Sequence, residues 1–134
     1  MAELSGKNIA IIATDGFEDV ELTSPKDAVE QAGATTKVIS TETGEIEGKK
    51  GAKVAVDVKT ADASADEFDA LILPGGTVNA DTIRTDADAV ALVKAFKDAG
   101  KPIGVICHGG WILTDADPDF VVLGETRTYS FEAL

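Results

Sequence analysis

The stretch Pro102–Trp111, PIGVICHGGW, contains the chain's single Cys, single His and single Trp. It opens as a brief, nearly continuous apolar run and ends in small, turn-forming residues. A strand buried on both faces reads this way, and such strands belong to parallel sheets covered by helices. Two other stretches have the same character, NIAIIA at Asn8–Ala13 and ALILPGG at Ala70–Gly76. Working outward, SPKDAVEQAG (Ser24–Gly33) has helical period. There Ser24 suits the N-cap, Pro25 the first helical position and Gly33 the stop. In TDADAVALVKAFKDAG (Thr85–Gly100), Val90, Val93, Phe96 and Lys97 fall near one another on a helix. Aspartates open that helix, where the dipole favours them, and Gly100 closes it.

TTKVIS (Thr35–Ser40) adds a strand. TGEIEGKKGAKVAVDV (Thr43–Val58) reads as two short edge strands around a Gly and Lys turn, with KVAVDV alternating as a half-exposed strand should. The order β-α-β-(ββ)-β-α-β-α predicts a three-layer α/β/α sandwich with a mainly parallel sheet, as one domain over residues 1–134. Ligands in such folds collect at the carboxyl ends of the strands. Three loops are singled out: TDGFEDVE (Thr14–Glu21), PGGTVNAD (Pro74–Asp81) and CHGG (Cys107–Gly110).

The chain has 134 residues, and a domain of this size hides about two-thirds of the surface its unfolded form exposes. Twelve basic against 24 acidic side chains give a net charge of -12. That surface repels phosphate backbones and anionic headgroups, which argues against nucleic acid and membrane as partners. One Cys cannot form an internal disulfide and points to a reducing compartment. One Cys and one His cannot supply a four-ligand structural zinc site, and the expectation is of no metal and no cofactor. The N-terminal MAELSGKNIA lacks the apolar core of a signal peptide, and no segment reaches the length of a membrane span. The expected location is the cytoplasm.

A Cys at a strand-to-helix turn is placed for nucleophilic work: the turn lifts it clear of the sheet, and the helix amides and dipole favour the thiolate. The geometry is that of a nucleophile elbow with Cys for Ser, matched in part, since Gly109 lies two after Cys107 but Val105 two before. The alternative is a buried, inert thiol. Adjacent side chains diverge, so His108 need not be the base for Cys107 and could face a substrate or carboxylate instead. Asp15, Glu18, Asp19 and Glu21 crowd the first loop. Most suit a solvated helix start, but a carboxyl pressed against a thiolate would have its pKa raised and would donate a hydrogen bond to sulfur. Gly75 and Gly76 read either as a turn or as bare backbone open to a substrate oxyanion.

Together GFEDVEL, DALILPGG and GKPIGVICHGGWIL, in this order and spacing, resemble the ThiJ/PfpI superfamily, and within it the PfpI-type branch of intracellular proteases and general stress proteins. The likeness runs from about Lys7 to Leu113. It implies a flavodoxin-like sandwich, assembled as dimers or higher homo-oligomers. Position by position, Cys107 matches the nucleophile, Glu18 the protonated carboxyl bonded to it, and His108 the histidine of a Cys–His–acid arrangement. Gly76, with Gly75, Gly109 and the amides around Cys107 and His108, matches the oxyanion-binding region. The acid comes from a neighbouring subunit, where Asp81 stands near the family's Glu in a loop one residue longer than in the archetypal proteases.

The activities implied are a spread: attack on methylglyoxal or glycated adducts, peptide cleavage, and chaperone or oxidative-sensor roles. A small site with one His and a protonated Glu favours small-carbonyl or deglycase-like chemistry, because expelling an amine demands a better-placed proton donor. After Leu113 the likeness thins, and the closing segments usual in the family are expected to be reduced here. An open sheet face would follow, calling for a partner chain to cover it; the alternative is a truncated domain with an inactive site.

Overall fold

The computed structural model describes residues 3–117 and 128–129. The three apolar runs form the strands the pattern predicts: β1 (Asn8–Ile12), and, further along, Ala70–Leu73 and Ile103–Ile106. β1 is followed by α1 (Asp19–Gln31), β2 (Thr35–Ser40), and a hairpin of β3 (Gly44–Glu47) and β4 (Lys53–Val56). Then come the short β5 (Val58–Lys59), β6 (Ala70–Leu73), α2 (Thr77–Ile83), α3 (Ala87–Asp98) and β7 (Ile103–Ile106). A 3-10 turn at Cys107–Gly110 leads directly into α4 (Trp111–Ala116), and β8 is Thr128–Tyr129.

The main sheet has the order β5-β2-β1-β6-β7-β8. Its first five strands are parallel, with Ile9 opposite both Thr36 of β2 and Ala70 of β6, and Leu71 opposite Ile103 of β7. β8 pairs antiparallel with β7 at the edge. β3 and β4 form a separate antiparallel pair, as the alternating pattern predicts.

The near-continuous apolar character of β1 has a simple cause. Ala10 and Ile12 face a core built with Leu71, Val105, Phe96 and Ile112, while Ile9 and Ile11 face a second core with Val38, Phe17 and Leu22. Helices α3 and α4 cover the first face and α1 the second, so the architecture is the expected flavodoxin-like α/β/α sandwich. On the α1 side a cavity of about 350 Å³ opens between Leu4, Ile9, Val29, Ala70, Ile72 and Pro102.

α1 differs from its expected bounds. It begins at Asp19, so Ser24 is an exposed interior residue and Pro25 lies inside the helix. Proline there forfeits the bond to the Glu21 carbonyl. Leu22, fully buried, holds the preceding turn helical, and burying such a side chain stabilises by about 1.5–3 kcal/mol. The helix stop is as expected: Gly33 at φ 104° donates to Glu30 and Ala34 donates to Val29, the paired bonds of a Schellman ending. α3 ends the same way, through Gly100 to Lys97 and Lys101 to Phe96. Its start is capped by the Asp86 carboxylate, which accepts from the Ala89 amide at 3.3 Å. Its buried face is Ala89, Leu92, Val93 and Phe96, a slight rotation from the face expected. α2 was hidden in what reads as a loop, because seven residues after two glycines carry too little period.

Phe96 is fully buried and meets the Phe68 ring at 6.2 Å, whereas Val20 is 62% exposed. Phe96→Ala should lower the unfolding free energy by about 3–5 kcal/mol in urea titration. Val20→Ser should change it by less than about 0.5 kcal/mol.

Candidate active site

Because β1, β6 and β7 are parallel neighbours, their carboxyl ends bring the three singled-out loops together. The contact is backbone on backbone. A Cβ on Gly76 would stand 2.6 Å from the Glu18 nitrogen, and one on Gly109 would stand 2.6 Å from the Pro74 carbonyl oxygen. Asn79, at 1% exposure, ties two of the loops. Its side-chain oxygen accepts from the Thr14 amide at 2.7 Å, and its nitrogen donates to Pro74 and Gly75 carbonyls at 3.1 and 2.9 Å. The Glu18 amide donates to the Gly75 carbonyl at 3.2 Å.

Cys107 sits on the turn after β7 at φ 52°, the one non-glycine residue at positive φ among the described residues. That conformation costs of order 1–3 kcal/mol and is the signature of a nucleophile elbow. The turn leaves Cys107 partly accessible and brings its sulfur to 3.2 Å from Nδ1 of His108. The divergence expected of neighbouring side chains is overcome here by the left-handed backbone at Cys107.

The carboxyl facing this turn is Glu21. Gly75 lies between the two: a Cβ there would collide with the Glu21 carboxylate and stand 2.9 Å from Cys107 Cβ. Glu21 accepts from the Gly75 amide at 2.9 Å. Desolvation raises its pKa against that hydrogen bond, and the charge of Glu18 raises it further. Glu18, to which the resemblance assigned the protonated role, is committed elsewhere. Its carboxylate pairs with Lys49 at 3.0 Å and Lys50 at 3.6 Å, and the Lys49 bond foremost lowers its pKa. The structure thus places Glu21, three residues on, where Glu18 was expected. Four acids in seven residues carry no period that tells which one faces the crevice.

The two lysines arrive through the β3–β4 hairpin. Asp19 accepts from the Lys50 and Ala52 amides at 2.9 and 2.8 Å, and the Lys49 amide donates to Phe17 at 3.0 Å. The Lys49 pKa is raised, foremost by its bond to Glu18 and by the Glu18 charge, with Glu21 adding to it. The turn GKKG held the only signal for this, and it gave no partner. Gly75, expected as an oxyanion donor, has its amide taken by Glu21. Gly76 and Gly109 lie at the loop contacts, and Asp81 is exposed on α2, its charge felt by Arg84. Among the described residues no group of three or more His, Cys, Asp or Glu is arranged to hold a metal. No helix among them is long and apolar enough to cross a membrane.

A parallel sheet that presents a strained Cys beside His, with a glycine pair and an acid on the adjoining strand ends, defines a class of cysteine-centred α/β proteins. This chain belongs to the DJ-1/PfpI family, whose model matches residues 7–128. It is 48% identical over 114 residues to an uncharacterized protein of Staphylococcus saprophyticus. It is 45% identical over 112 residues to YraA of Bacillus subtilis, provisionally named a cysteine protease. Each match covers 83% of this chain and 66% of the relative, so the chain spans just under two-thirds of their length. The structure is similar to a two-domain Anabaena variabilis protein with DJ-1/ThiJ/PfpI-like and ferritin-like domains. The TM-score is 0.80 with 32% identity, over 83% of this chain and 33% of that one.

A raised carboxyl pKa has a definite sign. The folded state holds the Glu21 proton more tightly than the unfolded state, so its contribution is fully present below the unfolded pKa and lost as pH rises through the folded one. Glu21→Gln keeps an acceptor for the Gly75 amide without the charge. Urea titrations at acid and mildly alkaline pH should show the variant gaining on the parent as pH rises.

Proposed function

We propose that the chain is a cysteine-dependent enzyme acting on small carbonyls or glycated adducts, of the methylglyoxal or deglycase type. The observation that carries this reading is the strained Cys107 turn with His108 Nδ1 3.2 Å from the sulfur and Glu21 across Gly75. In the proposed reaction the Cys107 thiolate adds to the carbonyl carbon, forming a C–S bond as the carbonyl π bond opens onto oxygen. Backbone amides around Gly76 and His108 receive the oxyanion. His108 holds the proton taken from the thiol and returns it to that oxygen. Glu21, whose pKa is raised foremost by desolvation, would donate toward sulfur when it carries its proton. The reading includes a homo-oligomer of dimers or more, in which Asp81 of a second copy approaches His108.

Peptide cleavage by the same pair is the second reading, favoured by the provisional name of the Bacillus subtilis relative. It asks more of the site, since an amine must leave with a proton.

Methylglyoxal consumption, followed as loss of its hydrazone absorbance, should fall at least about a hundredfold in Cys107→Ala. Consumption by that variant at the parental rate would sink the reading. Cleavage of fluorogenic peptides by the parent, lost in the variant, without carbonyl turnover would select the peptidase.

A further inference from the structure

Trp111 is the chain's only tryptophan, and nothing in the Cys–His chemistry yet uses it. It lies three residues after His108, across the 3-10 turn Cys107–Gly110. Residues three apart on such a turn eclipse one another. The two rings accordingly meet edge to face, with centroids 4.8 Å apart and planes at 72°. The indole is itself held from a second direction. The Arg84 guanidinium carbon stands 6.0 Å from its ring centroid. Arg84 is bound in turn by Asp115, through Nε to Oδ2 at 2.8 Å and Nη2 to Oδ1 at 3.3 Å. Arg84 closes α2 and Asp115 lies on α4, so the ion pair joins the two helices that issue from the glycine-pair loop and the Cys107 turn.

An imidazole has several staggered orientations about its first side-chain torsion, and few of them bring Nδ1 toward the preceding residue. An edge-to-face aromatic contact selects among them, and a cation near the indole fixes the indole. We infer that Trp111, backed by the Arg84–Asp115 pair, is a positioning residue that holds the His108 ring in the orientation addressing the Cys107 sulfur. The inference rests on the reading of Cys107 and His108 as the reacting pair. The charged groups that bear on that pair are Glu21 from α1 and Lys49 of the hairpin with its partner Glu18, while Arg84, with Asp81 and Asp115, lies beyond the indole. None of them is removed when Trp111 is replaced.

The test is the rate of Cys107 alkylation by iodoacetamide against pH, read by intact mass on the full chain. Parent, Trp111→Leu, Trp111→Phe and His108→Gln are compared, with circular dichroism confirming the fold. At neutral pH Trp111→Leu should react about five- to tenfold more slowly than the parent, with its pH profile moved toward that of His108→Gln. Trp111→Phe, which keeps a ring, should recover most of the rate. The lone indole supplies a second readout. Its fluorescence should step as the imidazole titrates, because imidazolium quenches indole in contact, and the step should vanish in His108→Gln and weaken in Arg84→Met. A profile unchanged in His108→Gln would overturn the reading of the pair itself. A profile altered in His108→Gln but parental in Trp111→Leu, or an indole emission without the step, would overturn the positioning role alone.

Discussion

The close approach of three strand-end loops is the constraint on which the rest of the site depends. Gly76 and Gly109 sit where any Cβ would enter a neighbouring backbone, so the loop after β6 is pressed between the loop after β1 and the turn after β7. Buried Asn79 locks the arrangement by serving the Thr14 amide and the Pro74 and Gly75 carbonyls. An orphaned buried backbone group costs about 1–3 kcal/mol, so this one side chain couples the loops strongly. Strain at Cys107 is sustainable only inside such an over-determined frame.

Charge at the site is arranged with similar economy. The hairpin clamped by Asp19 delivers Lys49 and Lys50 to a chain of net charge -12, and they neutralise Glu18. Glu21 is left as the acid that faces Cys107 across Gly75, its pKa raised foremost by desolvation. Two carboxylates three residues apart thus take opposite protonation tendencies from their surroundings. One is met by cations and the other is withdrawn from water.

Further from the sulfur the same pattern continues. His108 is turned toward sulfur by the backbone at Cys107 and braced by Trp111, which is in turn braced by Arg84 and Asp115. The helices that begin at the site loops are therefore tied to each other at the surface and to the Cys107–His108 pair within. Helical segments this short have little intrinsic stability, so tertiary contacts of this kind are what hold them.

Strand positions were readable from the chain alone, because residues buried on both faces of a sheet leave unbroken apolar runs in β1, β6 and β7. The placement of Cys107 and His108 on the turn after β7 was readable because they stand at the end of such a run. Helix ends at Gly33 and Gly100 were readable because a left-handed ending favours glycine. Glu21, Lys49, Asn79 and Trp111 were not, and the reason is common to all four. Their roles arise from contacts between segments distant in sequence or from a backbone turn that local pattern does not encode. Pro25 inside α1 makes the same point from the other direction: burial of Leu22 outweighed a local preference to start the helix later. Period and composition report how each residue meets the core. Which of several similar side chains meets a particular sulfur is settled only when the loops are pressed together.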